Sequence, residues 1–361
     1  MQPNLAIFGA TGLVGMKFLE ILEQRNFPLG KLRLFASERS AGKKMTFRGQ
    51  EYTVETITPG CFTDTHIALF SAGGGPSKQF APQAAAEGAV VVDNSSAWRM
   101  DPTVPLVVPE VNADDLSHHK GIIANPNCST IQMVVALYPI HKVNPIKKIF
   151  VATYQSVSGA GIDNVHEEWK QTAQWAKDVE NLPNFGTKTQ VAPELNPEIF
   201  KSSYPASTFS KQIAFNLIPH IGTFTENGYT DEELKLLYET RKIMHAPDVL
   251  VSPTTVRVPV IFGHSEAITI ELTNPMTPEE ARTILAQAPG IKVLDNPANK
   301  EYPTPLETAG DDFTYVGRIR QDLIFNPGLS MWVVSDNIRK GAATNAVQIA
   351  EELVGKGLLK K

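Results

Sequence analysis

Cys128, in the stretch "NPNCST", is one of two cysteines in 361 residues. It stands where the apolar run "GIIAN" hands over to the helical pattern of "CSTIQMVVAL". A cysteine in the first turn of a helix meets free backbone N–H groups and the positive end of the macrodipole, which lower its pKa and make the sulfur a nucleophile. Ser129 and Thr130 are capping residue types, and the N–H groups of that turn suit an oxyanion formed when sulfur attacks a carbonyl. The competing reading is a small buried hydrophobe, the commonest fate of a free cysteine. Cys61, in "TPGCFTDTH", has no such setting and is read as structural.

A second signature lies at the start of the chain. "NLAIF" is a short apolar run, "GATGLVG" follows with Gly9, Gly12 and Gly15, and "LVGMKFLEILEQ" continues at helical spacing. Small residues between a strand and a helix let the backbone approach a pyrophosphate, while the helix end offers N–H groups to it. A turn that merely packs closely is the alternative, but strand before and helix after is the context a dinucleotide site demands. The next strand-like run, "KLRLF", leads to Ser37, Arg39 and Ser40. Hydroxyls and a cation there suit the 2′-phosphate of NADP, and Glu38 among them is the evidence against.

These residues need a scaffold, and the rest of the chain supplies one. "HIALF", "AVVVDN", "PLVVPEVN" and "GIIAN" are apolar runs alternating with helical segments, which reads as a mostly parallel Rossmann-like sheet with crossover helices. From about residue 148 the texture changes. "KKIFVATYQSVSGAG" is strand-like, "NVHEEWKQTAQWAKDVEN" and "TDEELKLLYETRKIMHA" are helices, and "VSPTTVRVPVIF" and "SEAITIELT" are strands. Residues 183–212 are irregular, and "GAATNAVQIAEELVGKGLL" ends the chain as an amphipathic helix. The expectation is an α/β chain of two domains. Residues 1–127 with 340–361 bind the dinucleotide, and 128–339 form an α+β catalytic and dimerisation domain.

Composition excludes several function classes. A net charge of −5 with scattered Lys and Arg gives no basic stripe for nucleic acid or a membrane surface. The first residues carry no basic-then-apolar leader, and no stretch approaches the roughly 18 uninterrupted apolar residues of a membrane span, so a cytoplasmic setting and a small-molecule substrate are expected. Neither His118 with His119 nor "VHEEW" has metal-ligand spacing, so no metal is implied.

In order and spacing, "GATGLVG", "ASERSAGK", "SAGGGPSK", "VVDNSSAWRMDPTVPLVVPEVN", "NPNCSTIQM", "YQSVSGAG", "TRKIM", "VRVPVIFGHSE" and "VVSDNIRKGAATNAVQIAE" resemble aspartate-semialdehyde dehydrogenases of the bacterial type, nearly end to end. The resemblance implies NADPH-dependent, reversible reduction of L-aspartyl 4-phosphate to L-aspartate 4-semialdehyde and phosphate, in lysine, threonine and methionine biosynthesis. It implies Cys128 as nucleophile and His264 of "FGHSE" as the acid/base group, a sound pairing because imidazole titrates near working pH. Gln155 would contact substrate, Arg257 would take the α-carboxylate in a bidentate fork, Glu239 the α-ammonium, and Arg99 with Lys242 the phosphate. Gly9, Thr11, Gly12, Leu13, Val14, Ser37, Arg39, Ser40, Ser158, Gly159, Asn337 and Gln348 would line the NADP site, and a homodimer or dimer of dimers is implied.

Arg257 and His264 are seven apart, so strict strand alternation would point them to opposite faces; a bend near Pro259 or Gly263 is required. Two rival readings stand beside this one. N-acetylglutamyl phosphate reductase or a glyceraldehyde phosphate dehydrogenase would share the cysteine and the dinucleotide turn, but not a carboxylate for a free ammonium. A dinucleotide-binding redox regulator would use Cys128 as a switch.

Overall fold

Short aliphatic runs punctuated by glycine build the first sheet. The computed structural model describes residues 2–181, 200–201 and 203–359. Its first elements are β1 (Leu5–Phe8), α1 (Leu13–Gln24), β2 (Leu32–Phe35), β3 (Lys44–Phe47), β4 (Gln50–Glu55), β5 (Ile67–Phe70), α2 (Gly74–Ala86), β6 (Val90–Asp93), α3 (Pro109–Asn112) and β7 (Ile122–Ala124). Among the described residues these strands form one sheet in the order β3-β4-β2-β1-β5-β6-β7, parallel except for β3. Every residue of β1, β5 and β6 is buried, as expected of parallel strands covered on both faces. The chain runs outward from β1 through β2 and returns to its other side at β5. That reversal opens a crevice beyond the carboxyl ends of β1 and β5.

"PLVVPEVN" does not form the strand its composition suggests. Leu106 makes one isolated bridge to Ala124, and Pro109 starts the short α3. Proline cannot donate to a ladder but suits the first position of a helix.

The second part contains α4 (Cys128–Val143), β8 (Ile146–Gln155), α5 (Ile162–Glu180), α6 (Asp231–Ile243), β9 (Leu250–Arg257), β10 (His264–Leu272), α7 (Pro278–Ala286), β11 (Ile291–Val293), α8 (Pro305–Thr308), β12 (Thr314–Gln321), β13 (Gly328–Ser335) and α9 (Thr344–Gly355). Its mixed sheet has the order β11-β12-β13-β10-β8-β9 among the described residues. One face packs on α4 and α7 through Ile131, Val135, Ile149, Val151, Ile268 and Leu285. The opposite face is open: Phe150 is 52% exposed, and Tyr154, Ala267 and Trp332 are half-buried. α9 returns to the first sheet, where Val347, Ile349 and Leu353 join Leu5, Ile7 and Leu22. Of the irregular stretch 183–212, residues 183–199 and 202 lie outside the described residues; Ser207 and Thr208 dock on α5 by donating to Glu167.

Candidate active site

Cys128 is the first residue of α4, and Asn127 caps that helix by accepting from the N–H groups of Ser129 (3.0 Å) and Thr130 (3.2 Å). The cap changes the expected electrostatics. Two of the N–H groups that could serve sulfur or an oxyanion also serve Asn127 Oδ1, and protein atoms enclose most of the residue. Burial therefore pushes the Cys128 thiol up to about 12; the Glu232 charge adds to the rise, while Arg257, Arg99 and the Ser129 N–H pull the other way. The thiol of the free protein is thus protonated at neutral pH, contrary to the expectation of a helix-end thiolate.

A cavity of about 440 Å³ opens beside it. Around Cys128 it is lined by Arg99, Asn127, Gln155, Glu232, Lys235 and Arg257. Gln155 and Arg257 are the last residues of the paired strands β8 and β9, in register with each other, so the sheet edge delivers both together. The Arg257 guanidinium is anchored by the Ser156 carbonyl at 2.7 Å. Glu232 accepts from Asn127 Nδ2 (2.8 Å), from Lys235 Nζ (3.0 Å) and from Gln155 Nε2 (3.4 Å). Burial would raise its carboxyl, but the Lys235 charge and the Asn127 hydrogen bond hold it below the usual range. It is a buried anion.

Glu239 and Lys242 do not line this cavity. Glu239 accepts from Arg99 Nη1 (3.1 Å) and from the Asn127 backbone N–H (2.7 Å). Lys242 Nζ donates to the carbonyls of Arg99, Asp101 and Val104, each at 2.8 Å. The correction has a periodic cause. α6 contains the Glu-x-x-Lys spacing twice, at 232–235 and 239–242, and seven residues are close to two turns, so both pairs share a face about 10.5 Å apart along the axis. The first pair faces the cavity. Sequence contains the signal for both, and only packing chooses between them.

His264 opens β10 and is fully buried. Its Nδ1 accepts the Ser156 N–H at 3.0 Å, which leaves the ring proton on Nε2. Burial, reinforced by the Arg257 charge, holds the imidazole well below its ordinary value, so it is neutral. Nε2 has no hydrogen-bond partner among the described residues. His264 itself is not a lining residue; its ring lies behind Gly159, which does line the cavity and where an added Cβ would lie 3.1 Å from both Cε1 and Nε2. The required bend exists: β9 ends at Arg257, β10 starts at His264, and Gly263 between them has φ +89°. Ser158 and Asn337 complete this wall; Asn337 Nδ2 donates to Ser158 Oγ (3.0 Å), and its Oδ1 accepts from the Gly263 N–H (2.9 Å).

The other end of the cavity reaches the crevice of the first sheet through Val14, Ser71 and Gly73. Gly9 has φ +87°, and a Cβ there would collide with the Ser71 carbonyl. Gly12 is the N-cap residue of α1 and Gly73 that of α2, and neither helix has a side-chain cap, so their first N–H groups are left for an anion. Leu13 and Val14 are the first two residues of α1. Thr11 Oγ1 donates to Ser40 Oγ (3.3 Å), tying the glycine turn to the exposed Ser37 and Arg39. This geometry fits a dinucleotide. Gln348 does not join it: with Glu110 it holds the buried Lys340 ammonium (2.7 Å from Gln348 Oε1). Besides Glu232 and Lys235, the sequence reading missed Asn127, whose cap is legible as Asn before an apolar run. Among the described residues no helix is long and apolar enough to cross a membrane.

Comparison with known proteins bears on the whole chain. The family model for the semialdehyde dehydrogenase NAD binding domain matches residues 4–119, and that for the semialdehyde dehydrogenase dimerisation domain matches 137–340. The chain is 56% identical to the aspartate-semialdehyde dehydrogenase of Aquifex aeolicus, over 99% of this chain and 100% of the other. The solved structure of aspartate semialdehyde dehydrogenase II complexed with ASA from Vibrio cholerae superposes with a TM-score of 0.89 at 46% identity, covering 98% of this chain and 99% of that one. The Candida albicans enzyme with NADP superposes with a TM-score of 0.74 at 25% identity, covering 99% of each. With both domain models matched in order and a relative 56% identical over 99% of its length, this chain belongs to the aspartate-semialdehyde dehydrogenase family of oxidoreductases.

Proposed function

We propose that the protein catalyses the reversible, NADPH-dependent reduction of L-aspartyl 4-phosphate to L-aspartate 4-semialdehyde and phosphate through an acyl thioester on Cys128, the step shared by lysine, threonine and methionine biosynthesis. The reading rests on one observation: Cys128 opens into a cavity that also holds the buried carboxylate of Glu232 and the cations of Arg257, Arg99 and Lys235. A substrate with an α-carboxylate, an α-ammonium and a phosphoryl group asks for that set of charges. Arg257 takes the carboxylate as a fork, Glu232 the ammonium, and Arg99 with Lys235 the phosphate. An N-acetylated substrate offers no ammonium to Glu232, so it gains nothing from that carboxylate, which disfavours the reductase alternative.

The Cys128 sulfur attacks the acyl carbon, the carbon–oxygen bond to phosphate breaks, and the thiol proton leaves on hydrogen phosphate. A nicotinamide dinucleotide held by the Gly9–Val14 turn would supply the hydride that the thioester carbon takes up in this direction. His264 presents Nε2–H to the carbonyl oxygen; the proton is drawn toward that oxygen as it gains charge and returns to Nε2 when the thiohemiacetal collapses to aldehyde and thiolate, which then takes one proton from solvent to restore the thiol. Gly159, having no side chain, leaves room between the ring and the cavity, and Gln155 lines the cavity that would hold the acyl group.

For the cofactor, the grouping of Ser37, Arg39 and Ser40, together with the Candida albicans relative solved with NADP, supports NADP over NAD. Replacing Arg39 by alanine should raise the Michaelis constant for NADP much more than for NAD, and equal loss with both would refute the assignment. The division into 1–127 with 340–361 and 128–339 is supported by α9 sharing the first core and α4 the second. The open sheet face and the dimerisation-domain match support a homodimer or dimer of dimers. The free thiol the chemistry needs suits a reducing cytoplasm. The deciding experiment is phosphate-dependent reduction of NADP by aspartate semialdehyde. Cys128→Ser should abolish it while NADP binding persists, and activity retained in that variant would remove the thioester route.

A further inference from the structure

We propose that Glu239 and Lys242 are positioning residues that fix where Arg99 presents its guanidinium, and so set the affinity of the site for phosphate without touching it; this rests on the reading that Arg99 meets the phosphate. Arg99 is nearly buried, and its guanidinium is held on three sides. Nε donates to the Asn125 carbonyl (3.0 Å), Nη2 to the Asn94 carbonyl (2.9 Å) and Nη1 to Glu239 (3.1 Å). A guanidinium has five N–H donors, so donors remain at Nη1 and Nη2 for the cavity that Arg99 lines.

The backbone behind it is held as firmly. The chain from Arg99 to Val104 lies outside the named helices and strands, yet three of its carbonyls converge on Lys242 Nζ at 2.8 Å each. An ammonium has three donors, and all three are engaged, so Lys242 has none for a ligand. Its compact charge fits three converging carbonyls in a way a planar guanidinium does not. Glu239 adds a second tie, because its other oxygen accepts the Asn127 N–H at the start of α4. One helix therefore carries both contact residues, Glu232 and Lys235, and the residues that hold Arg99 in line with them.

The test is a double-mutant cycle read in the oxidative direction with inorganic phosphate, aspartate semialdehyde and NADP. Lys242→Met should raise the Michaelis constant for phosphate about tenfold, with those for semialdehyde and NADP changed less than about twofold, because a displaced guanidinium fails at one ligand. Arg99→Met should raise the phosphate constant at least as much, and adding Lys242→Met to it should bring no further rise, since the lysine acts through the arginine. An undiminished second effect in the Arg99→Met background, or a loss of thermal stability with an unchanged phosphate constant, would overturn the inference. Lys242→Arg should behave like Lys242→Met. Should Lys242→Met not fold, Glu239→Gln is read in the same cycle, with the same two outcomes deciding. An unchanged phosphate constant in Arg99→Met alone would instead remove the Arg99 assignment on which the inference stands.

Discussion

The thiol of Cys128 is governed by charges on two sides. Glu232 raises it and Arg257 lowers it, on top of the larger effect of burial. A substrate ammonium paired with Glu232 would cancel the unfavourable charge and leave the favourable one. Glu232→Gln should therefore speed alkylation of Cys128 by iodoacetamide at pH 8 in the free protein, and Arg257→Met should slow it, as followed by peptide mass spectrometry. No change in either variant would mean that burial alone sets the thiol. Cys61 is no fast competitor, because burial pushes its thiol up as well. His264→Asn should slow turnover and leave that alkylation largely intact, since burial, Glu232 and Arg257 lead the Cys128 shift.

Among the elements, α4 and the β8-to-α5 turn carry the tightest geometry. Asn127 caps α4 and also donates to Glu232, so Asn127→Ala should cost about 1 kcal/mol for the cap and weaken substrate binding besides. Denaturant titration checks the first effect and the semialdehyde Michaelis constant the second. Gly159→Ala would put a methyl 3.1 Å from the His264 ring and 3.2 Å from Arg257 Nη1. Both side chains would have to give, and the turnover number should fall at least about tenfold with little change in thermal midpoint. A variant with parental turnover would show that His264 tolerates displacement.

For the molecule as a whole, two features invite measurement. Glu266 is fully buried, and burial pushes its carboxyl well above the usual range, with Gln132 pulling only partly back. The folded protein thus keeps a proton that the unfolded chain releases, and its contribution to stability is lost as pH rises from the ordinary carboxylate value toward the raised one. Glu266→Gln should be more stable than the parent at pH 8 and equal to it at pH 4, measured by denaturant midpoints; a pH-independent difference would contradict this. The open face of the second sheet, with Phe150 half-exposed on β8, is the surface expected between subunits. Phe150→Glu should lower the sedimenting mass in dilute solution.

What could be read from the sequence is local. A glycine turn between a strand and a helix, a cysteine at a helix start after a capping asparagine, and all-apolar runs for strands buried on both faces depend on near neighbours. Packing settled what depends on neighbours far along the chain. Glu232 rather than Glu239 faces the thiol because of how α6 lies against Asn127, more than a hundred residues away, and the two share one helix face that periodicity cannot divide. Gln348 serves Lys340, and the proton of His264 sits on Nε2 because a distant backbone N–H occupies Nδ1. The Cys128 thiol is protonated for the same reason: its pKa sums burial and charges from α6, β9 and the loop that carries Arg99, and a helix start in the sequence gives only one contribution to that sum.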